Sequence, residues 1–213
     1  MITIKHKETG KVLYQDPDAQ FHRDLVLDNL DLHGADMSGL DFSGVSMRNC
    51  NLSSADCKFS CFRGANLTSA AMLSTECQEA DFTKALLNDC HMEGANFTDA
   101  CLEGAELRHC KATGAQFERA NLSHTVCAMA EFHCEMRHAS FQRANLFSVN
   151  FSKADLSFAD LRYCDMNSAN INGALFNHAK LEGSITASGR PYQKKTSGNG
   201  SKRKWWEVWK PVA

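Results

Sequence analysis

Between Phe132 and Phe141 the chain reads FHCEMRHASF, which sets Cys134 between His133 and His138. A thiol and two imidazoles at that spacing are the ligand types of a zinc site, and a cysteine beside a histidine is the pairing of an activated nucleophile. Ten cysteines and nine histidines in 213 residues put the same question to the whole chain. Either chemistry needs elements that gather such side chains around one point, so the question passes to what positions them.

From about residue 25 the sequence counts in fives: GADMS, GANLT, EADFT, GANFT, GAELR, RANLS, KADLS and SANIN align as a small residue, then Asp, Asn or similar, then a large apolar residue. Taking that large residue as the centre, centres fall at every fifth position from Leu27 to Phe132 and again from Met136 to Leu181, and all 32 are apolar. Two residues before each centre the side chain is Ala in 19 of 32 cases and is never charged. A period of five fits neither the 3.6 of a helix nor the alternation of a long strand, so the chain must turn a corner at each repeat.

If each pentapeptide forms one side of a square coil, the centre and the small residue before it both point inward and the other three positions face water. Residues twenty apart then stack at the strand spacing of about 4.8 Å, and eight coils make a rod of roughly 38 Å. Phe42, Phe62 and Phe82 should lie over one another, as should Leu67, Leu87 and Leu107. Glycine recurs two after the centre, for example at Gly34, Gly94 and Gly183, where a corner is expected to demand an unusual φ.

This pattern closely resembles the pentapeptide-repeat family, whose unit is Ala, then Asp or Asn, then Leu or Phe, then two variable positions. The match covers about residues 25–185. The resemblance implies an all-β fold, a right-handed quadrilateral parallel β-helix of about eight coils, and leaves function open because the family houses unrelated roles.

The count fails once. Phe132 and Met136 are both centres but only four apart, so FHCEMRHASF has lost one residue from a corner. In the new phase Cys134 is the small inward residue, while His133 and His138 point out. A tightened corner and a local break in the strand ladder are expected between the sixth and seventh coils counted from Leu27.

The other thiols and imidazoles follow the same logic. Cys50, Cys90, Cys110 and Cys164 take the small inward position and Cys57, Cys77 and Cys127 take centres, which leaves Cys61 and Cys101 outward. These are read as free thiols in a reducing compartment. The repeat-region histidines fall at outward positions and on different sides of the coil. No catalytic residue, metal site or cofactor site is expected, and a rod filled by Ala, Leu, Phe and Met offers no enclosed pocket for an enzyme.

Residues 1–24 leave the rhythm. ITIKHK-ETG-KVLYQ reads as two alternating runs around a turn, a β-hairpin expected to cap the exposed first coil. Residues 186–213 form a Gly-, Ser- and Lys-rich tail that ends in WWEVWKPVA and holds all three tryptophans, Trp205, Trp206 and Trp209. Three roles stand open for it: capping the last coil, joining two protomers into a homodimer, or serving as a short linear motif for a partner. Its Lys202, Arg203 and Lys204 read either as a solvated run or as a contact to nucleic acid or an anionic membrane surface.

Residues 184–213 carry seven basic and one acidic side chain, a balance of +6, so the other 183 residues hold 16 basic and 24 acidic ones, a balance of −8. The repeat region is therefore not expected to bind nucleic acid directly. The 43% hydrophobic and 23% charged content is that of a globular chain, and no apolar run is long enough for a membrane span. The N-terminus lacks the apolar core of a secretory peptide, so the expected location is cytoplasmic.

Function is therefore sought on the outer faces. The residues just before the centre on one side read Asp36, Asp56, Glu76, Asn96, Gln116, Glu135, Asp155 and Leu175, an acidic stripe broken in its middle. Exposed aromatics are expected at Phe147, Phe158 and Tyr163, on neighbouring sides of the C-terminal coils, a residue class enriched in interface cores. The first expectation is a non-enzymatic scaffold for a protein partner that the sequence does not name. The alternative, which the resemblance supplies, is an acidic DNA mimic that binds the type II topoisomerases DNA gyrase and topoisomerase IV, as the quinolone-resistance branch does.

Overall fold

In the computed structural model of the chain, residues 2–16 and 25–193 are described. One pentapeptide shows why five residues make one straight side and one corner. The centre Phe97 is fully buried, and its N–H donates to the carbonyl of Gln116 in the next coil at 2.7 Å. Asp99 at the corner donates to Glu118 at 3.0 Å, while Asn96 donates backwards to Thr75 at 2.9 Å. Ala100 closes the turn onto the Phe97 carbonyl at 3.0 Å. Only the N–H of Thr98 has no ladder partner, and it donates to Oδ1 of Asn96 at 3.0 Å. Every N–H of the unit is thus satisfied, as buried and half-buried backbone requires.

The last of these bonds gives the recurrent Asp or Asn its role. It recurs from Asp36 to Ser38, Asp56 to Lys58, Asn66 to Thr68, Asp81 to Thr83, Asp155 to Ser157 and Asp165 to Asn167, each side chain accepting from the backbone two residues on. This is the Asx-turn preference of these residue types, repeated around the coil.

Repeated, the unit gives a four-sided parallel coil. Bridges join each residue before a centre to the one a full coil later, from Val26↔Ser46 through to Asp165↔Ile185. The inward positions fill the interior without charge. The exceptions to full burial, Leu30, Leu40, Ile171, Ala174 and Ala179, sit in the first and last coils, which have a neighbouring coil on one face only among the described residues. Phe42, Phe62 and Phe82 stack with ring centroids 5.2 and 4.8 Å apart, as their spacing predicts. Inward Ser and Thr are also satisfied: Thr75 Oγ1 donates to the Leu52 carbonyl at 2.9 Å and Thr125 Oγ1 to Leu122 at 2.7 Å.

The corners ask for more than glycine. The residue two after the centre has positive φ in every repeat but one, and 22 of these residues are not glycine, among them Phe59 (58°), Met129 (60°) and Tyr163 (63°). The sequence flags a corner only where glycine occupies it; elsewhere the turn and the ladder bonds on either side hold an L-residue in the left-handed region at a cost of about 1 kcal/mol or more.

The exception is Cys134, in the shortened corner, which lies within the sixth coil. Here the expected break in the ladder does not occur. Gln116↔Glu135, Asn121↔Ser140, Val126↔Asn145 and Glu131↔Asn150 pair across 19 residues, and Glu135↔Asp155 returns to 20. What is lost is the turn bond: Glu135 keeps its ladder bond, its N–H donating to the Ala115 carbonyl at 3.3 Å, whereas the N–H of Cys134 makes no bond back to the Phe132 carbonyl of the kind that Ala100 makes to Phe97. The deletion removes the corner residue and leaves both flanking sides in register.

At the N-terminus β1 (Ile2–His6) pairs antiparallel with β2 (Val12–Asp16) and, on its other edge, with β3 (Ala35–Asp36) of the first coil. Ile4 is fully buried against the coil interior, and Leu13 and Tyr14 pack beside it. The hairpin thus occupies a strand edge that the first coil would otherwise expose.

Candidate functional site

The cysteine and histidines of FHCEMRHASF do not converge. Cys134 is buried and its thiol is pushed up by loss of solvation. His133 Nε2 lies 3.1 Å from Ser152 Oγ, and His138 stacks on Phe158 in the next coil. Among the described residues no group of three or more His, Cys, Asp or Glu is placed to hold a metal ion. Burial likewise pushes the thiols of Cys90, Cys127 and Cys164 up to about 12, so none is a thiolate at neutral pH. The missing corner residue leaves an open recess of about 350 Å³ lined by Gln116, His133, Glu135, Lys153 and Asp155, with charges of both signs.

The predicted acidic residues stand in a single row. Asp36, Asp56, Glu76, Asn96, Gln116, Glu135, Asp155 and Leu175 bridge one to the next along one side. Their field is partly cancelled. Lys58 Nζ lies 3.8 Å from Asp56 and 3.9 Å from Glu76, and Arg137 Nε lies 3.9 Å from Asp155. Asp36, Asp56 and Asp155 also accept the turn bonds described above.

The predicted aromatics are arranged differently from one another. Phe158 and Tyr163 occupy successive corners and so bound the two edges of one side, whereas Phe147 stands on the following side. Phe158 is 42% exposed, yet its ring is sandwiched between His138 and His178, with centroids 4.9 and 5.0 Å away and planes within 6° and 12° of parallel. The histidines are thus not all on different sides, as their spacing in the sequence implied; these two share one corner row. At the opposite edge Tyr163 is 58% exposed, with the guanidinium of Arg143 5.8 Å from its ring centroid and Gly183 beneath it.

Between these edges Arg162 forks onto Asp160, with Nε at 2.9 Å and Nη2 at 2.7 Å, and Lys180 stands 3.9 Å from the same carboxylate. Burial alone would raise the Asp160 carboxyl, but the Arg162 hydrogen bonds and the two cations outweigh it and hold the group below the usual carboxylate range. The result is a flat side, ordered at its centre and rimmed by held rings.

Reasoning from the repeat missed other exposed apolar side chains: Phe59 and Met129 at corners, Leu73 after a centre, Val26 before one and Ile185 just beyond the last. The signal was present, since each is an apolar residue at an outward position of the count. Trp205, Trp206 and Trp209 lie outside the described residues.

These features define a class first: a parallel β-solenoid whose interior is packed solid and whose variable residues all face outward. The pentapeptide-repeat description matches in eight copies over residues 26–68, 75–111, 100–133, 132–157 and 150–185, and the chain belongs to that family of right-handed quadrilateral β-helices. No curated protein matches the chain significantly. Among solved structures it is similar to HetL, a pentapeptide repeat protein involved in heterocyst differentiation regulation in the cyanobacterium Nostoc, at 23% identity over 79% of this chain and 92% of that one, with a TM-score of 0.28. A pentapeptide repeat protein from the Arabidopsis thaliana thylakoid lumen shares 23% identity over 57% and 68% of the two chains, TM-score 0.37. QnrB1, a plasmid-mediated fluoroquinolone resistance protein, shares 20% over 74% and 89%, TM-score 0.37.

Proposed function

We propose that this protein is a non-enzymatic binding scaffold that engages a protein partner through the C-terminal side bounded by Phe158 and Tyr163. The observation that carries this reading is that Phe158 is exposed and immobilised at once, clamped between two imidazole rings. An aromatic already fixed in place loses little rotamer freedom on binding, which is the condition under which exposed rings contribute most to an interface. Tyr163 under Arg143 repeats the arrangement at the other edge.

The test is a paired substitution. Phe158→Ala with Tyr163→Ala should abolish capture of a partner that the unaltered protein binds, whereas Phe59→Ala, which removes a still more exposed ring in the N-terminal coils, should not. Equal loss in both variants, or retention in both, would sink the assignment to this side.

The second reading, an acidic DNA mimic for DNA gyrase or topoisomerase IV, is favoured by the single row that holds Asp36, Asp56, Glu76, Glu135 and Asp155. It is weakened by the neutralising Lys58 and Arg137 and by the turn bonds that already employ three of the carboxylates. A supercoiling assay with purified gyrase decides it: no inhibition and no protection at micromolar protein removes this reading.

A further inference from the structure

The short corner that absorbs the deletion is also where the ladder leaves backbone groups unused. In the same column of corners, the N–H of Gly114 donates to the His133 carbonyl at 3.0 Å and that of Lys153 to the Asn172 carbonyl at 2.9 Å. The corner residue between them is missing. The acceptor that its N–H would meet, the carbonyl of Ser152, therefore takes no hydrogen bond among the described residues. The N–H of Cys134 has no acceptor there either, although Cys134 is only 6% exposed. Unpaired backbone groups at that depth are rare and call for a partner.

The space for one is present. A Cβ added at Gly114 would meet nothing within 4 Å, and the recess that Gly114 and Cys134 line, about 350 Å³, lies at the small end of ligand cavities. Its charges suit a dipolar guest. Lys153 stands in the corner column one coil past the gap, and Glu135 and Asp155 stand in the row of the adjoining side. Asp155 has Arg137 3.9 Å away, but Glu135 and Lys153 have no ion-pair partner among the described residues and do not pair with each other. An anion alone would meet the two carboxylates and a cation alone would meet Lys153, whereas a molecule with one charge of each sign can match both.

We propose that this recess binds a small zwitterion, a free α-amino acid, in the place of the missing corner residue. Its ammonium group donates to the Ser152 carbonyl and to the Glu135 carboxylate, and its carboxylate accepts from Lys153 and from the N–H of Cys134. The ligand's side chain leaves through the open mouth, so selectivity among amino acids should be slight. The recess opens at the corner before Glu135, one side away from the face bounded by Phe158 and Tyr163, so the proposal does not rest on the partner-binding reading.

The test is an NMR titration of the full-length protein with each of the common L-amino acids, read at the backbone amide of Cys134. N-acetylglycine and glycine amide, which each lack one charge, are the comparison ligands. Because the charged groups are partly exposed, Kd should be on the order of millimolar. The capped ligands should bind about tenfold more weakly than glycine, and glycine should bind about tenfold more weakly to Glu135→Gln and to Lys153→Met. A glycine inserted between His133 and Cys134 fills the gap and should abolish binding without lowering Tm. No shift of the Cys134 amide with any amino acid at millimolar concentration overturns the proposal, as does equal binding of the capped ligands. Unchanged affinity in both charge variants overturns it as well. Binding retained by the insertion variant also overturns it, since the ligand would then sit elsewhere.

Discussion

Gln116 and Glu135 bridge one another across neighbouring coils although 19 residues separate them, one fewer than in the coils before. The rod absorbs the deletion in a corner because only the corner residue lies outside the ladder's pairing. Inserting a single glycine between His133 and Cys134 should restore the turn bond onto the Phe132 carbonyl. One added hydrogen bond is worth about 1 kcal/mol, a rise of roughly 2–4 °C in Tm for a domain of this size. A large fall in Tm would show that the short corner is required.

The turn acceptors can be separated from charge. Asn66→Ala orphans the N–H of Thr68 and should cost about 1 kcal/mol. Asp155→Asn keeps an acceptor for Ser157 while removing the charge, so Tm should stay within about 1–2 °C of the parent. A loss in Asp155→Asn as large as that in Asn66→Ala would mean that the carboxylate's charge contributes at this position beyond its turn bond.

Gly183 is needed twice over. Its φ is 74°, and a Cβ there would overlap the ring of Tyr163. Gly183→Ala should therefore cost about 1–3 kcal/mol, read as a drop in the urea midpoint. In a Tyr163→Ala background the same change should cost markedly less, because the ring it displaces is gone. Strict additivity would refute the contact.

Thiol chemistry should divide the cysteines sharply. Cys61 and Cys101 are partly exposed, close to Ser43 Oγ (3.1 Å) and Thr83 Oγ1 (3.3 Å), while the other eight are buried. At mildly alkaline pH a chromogenic disulfide reagent should modify two thiols in the native protein and all ten in denaturant. Rapid reaction of Cys90 or Cys127, which burial holds at about 12, would contradict the packed interior.

Most of the architecture was legible because the inward positions obey one rule without exception, that none is charged: a buried charge has no partner in such a core, so its absence marks the interior. The corner conformation was not, because Phe59, Lys84 and Tyr163 adopt positive φ against their own preference, under constraints supplied by the neighbouring coils. The stack of His138, Phe158 and His178 could have been found by writing outward residues in columns a coil apart. The clamp itself, parallel rings at van der Waals distance, depends on side-chain geometry that no count of positions contains.

The backbone hydrogen bonds between coils all run along the rod, since each joins a residue to one in the coil above or below. Tension applied between the two ends therefore loads them a row at a time, as in a zipper, and not all together in shear. In a single-molecule pulling experiment the protein should lengthen in small steps at low force, and one abrupt rupture would disprove it. Mechanically the rod is stiff in bending and weak in extension, a device for holding outer side chains at fixed intervals and not for bearing load.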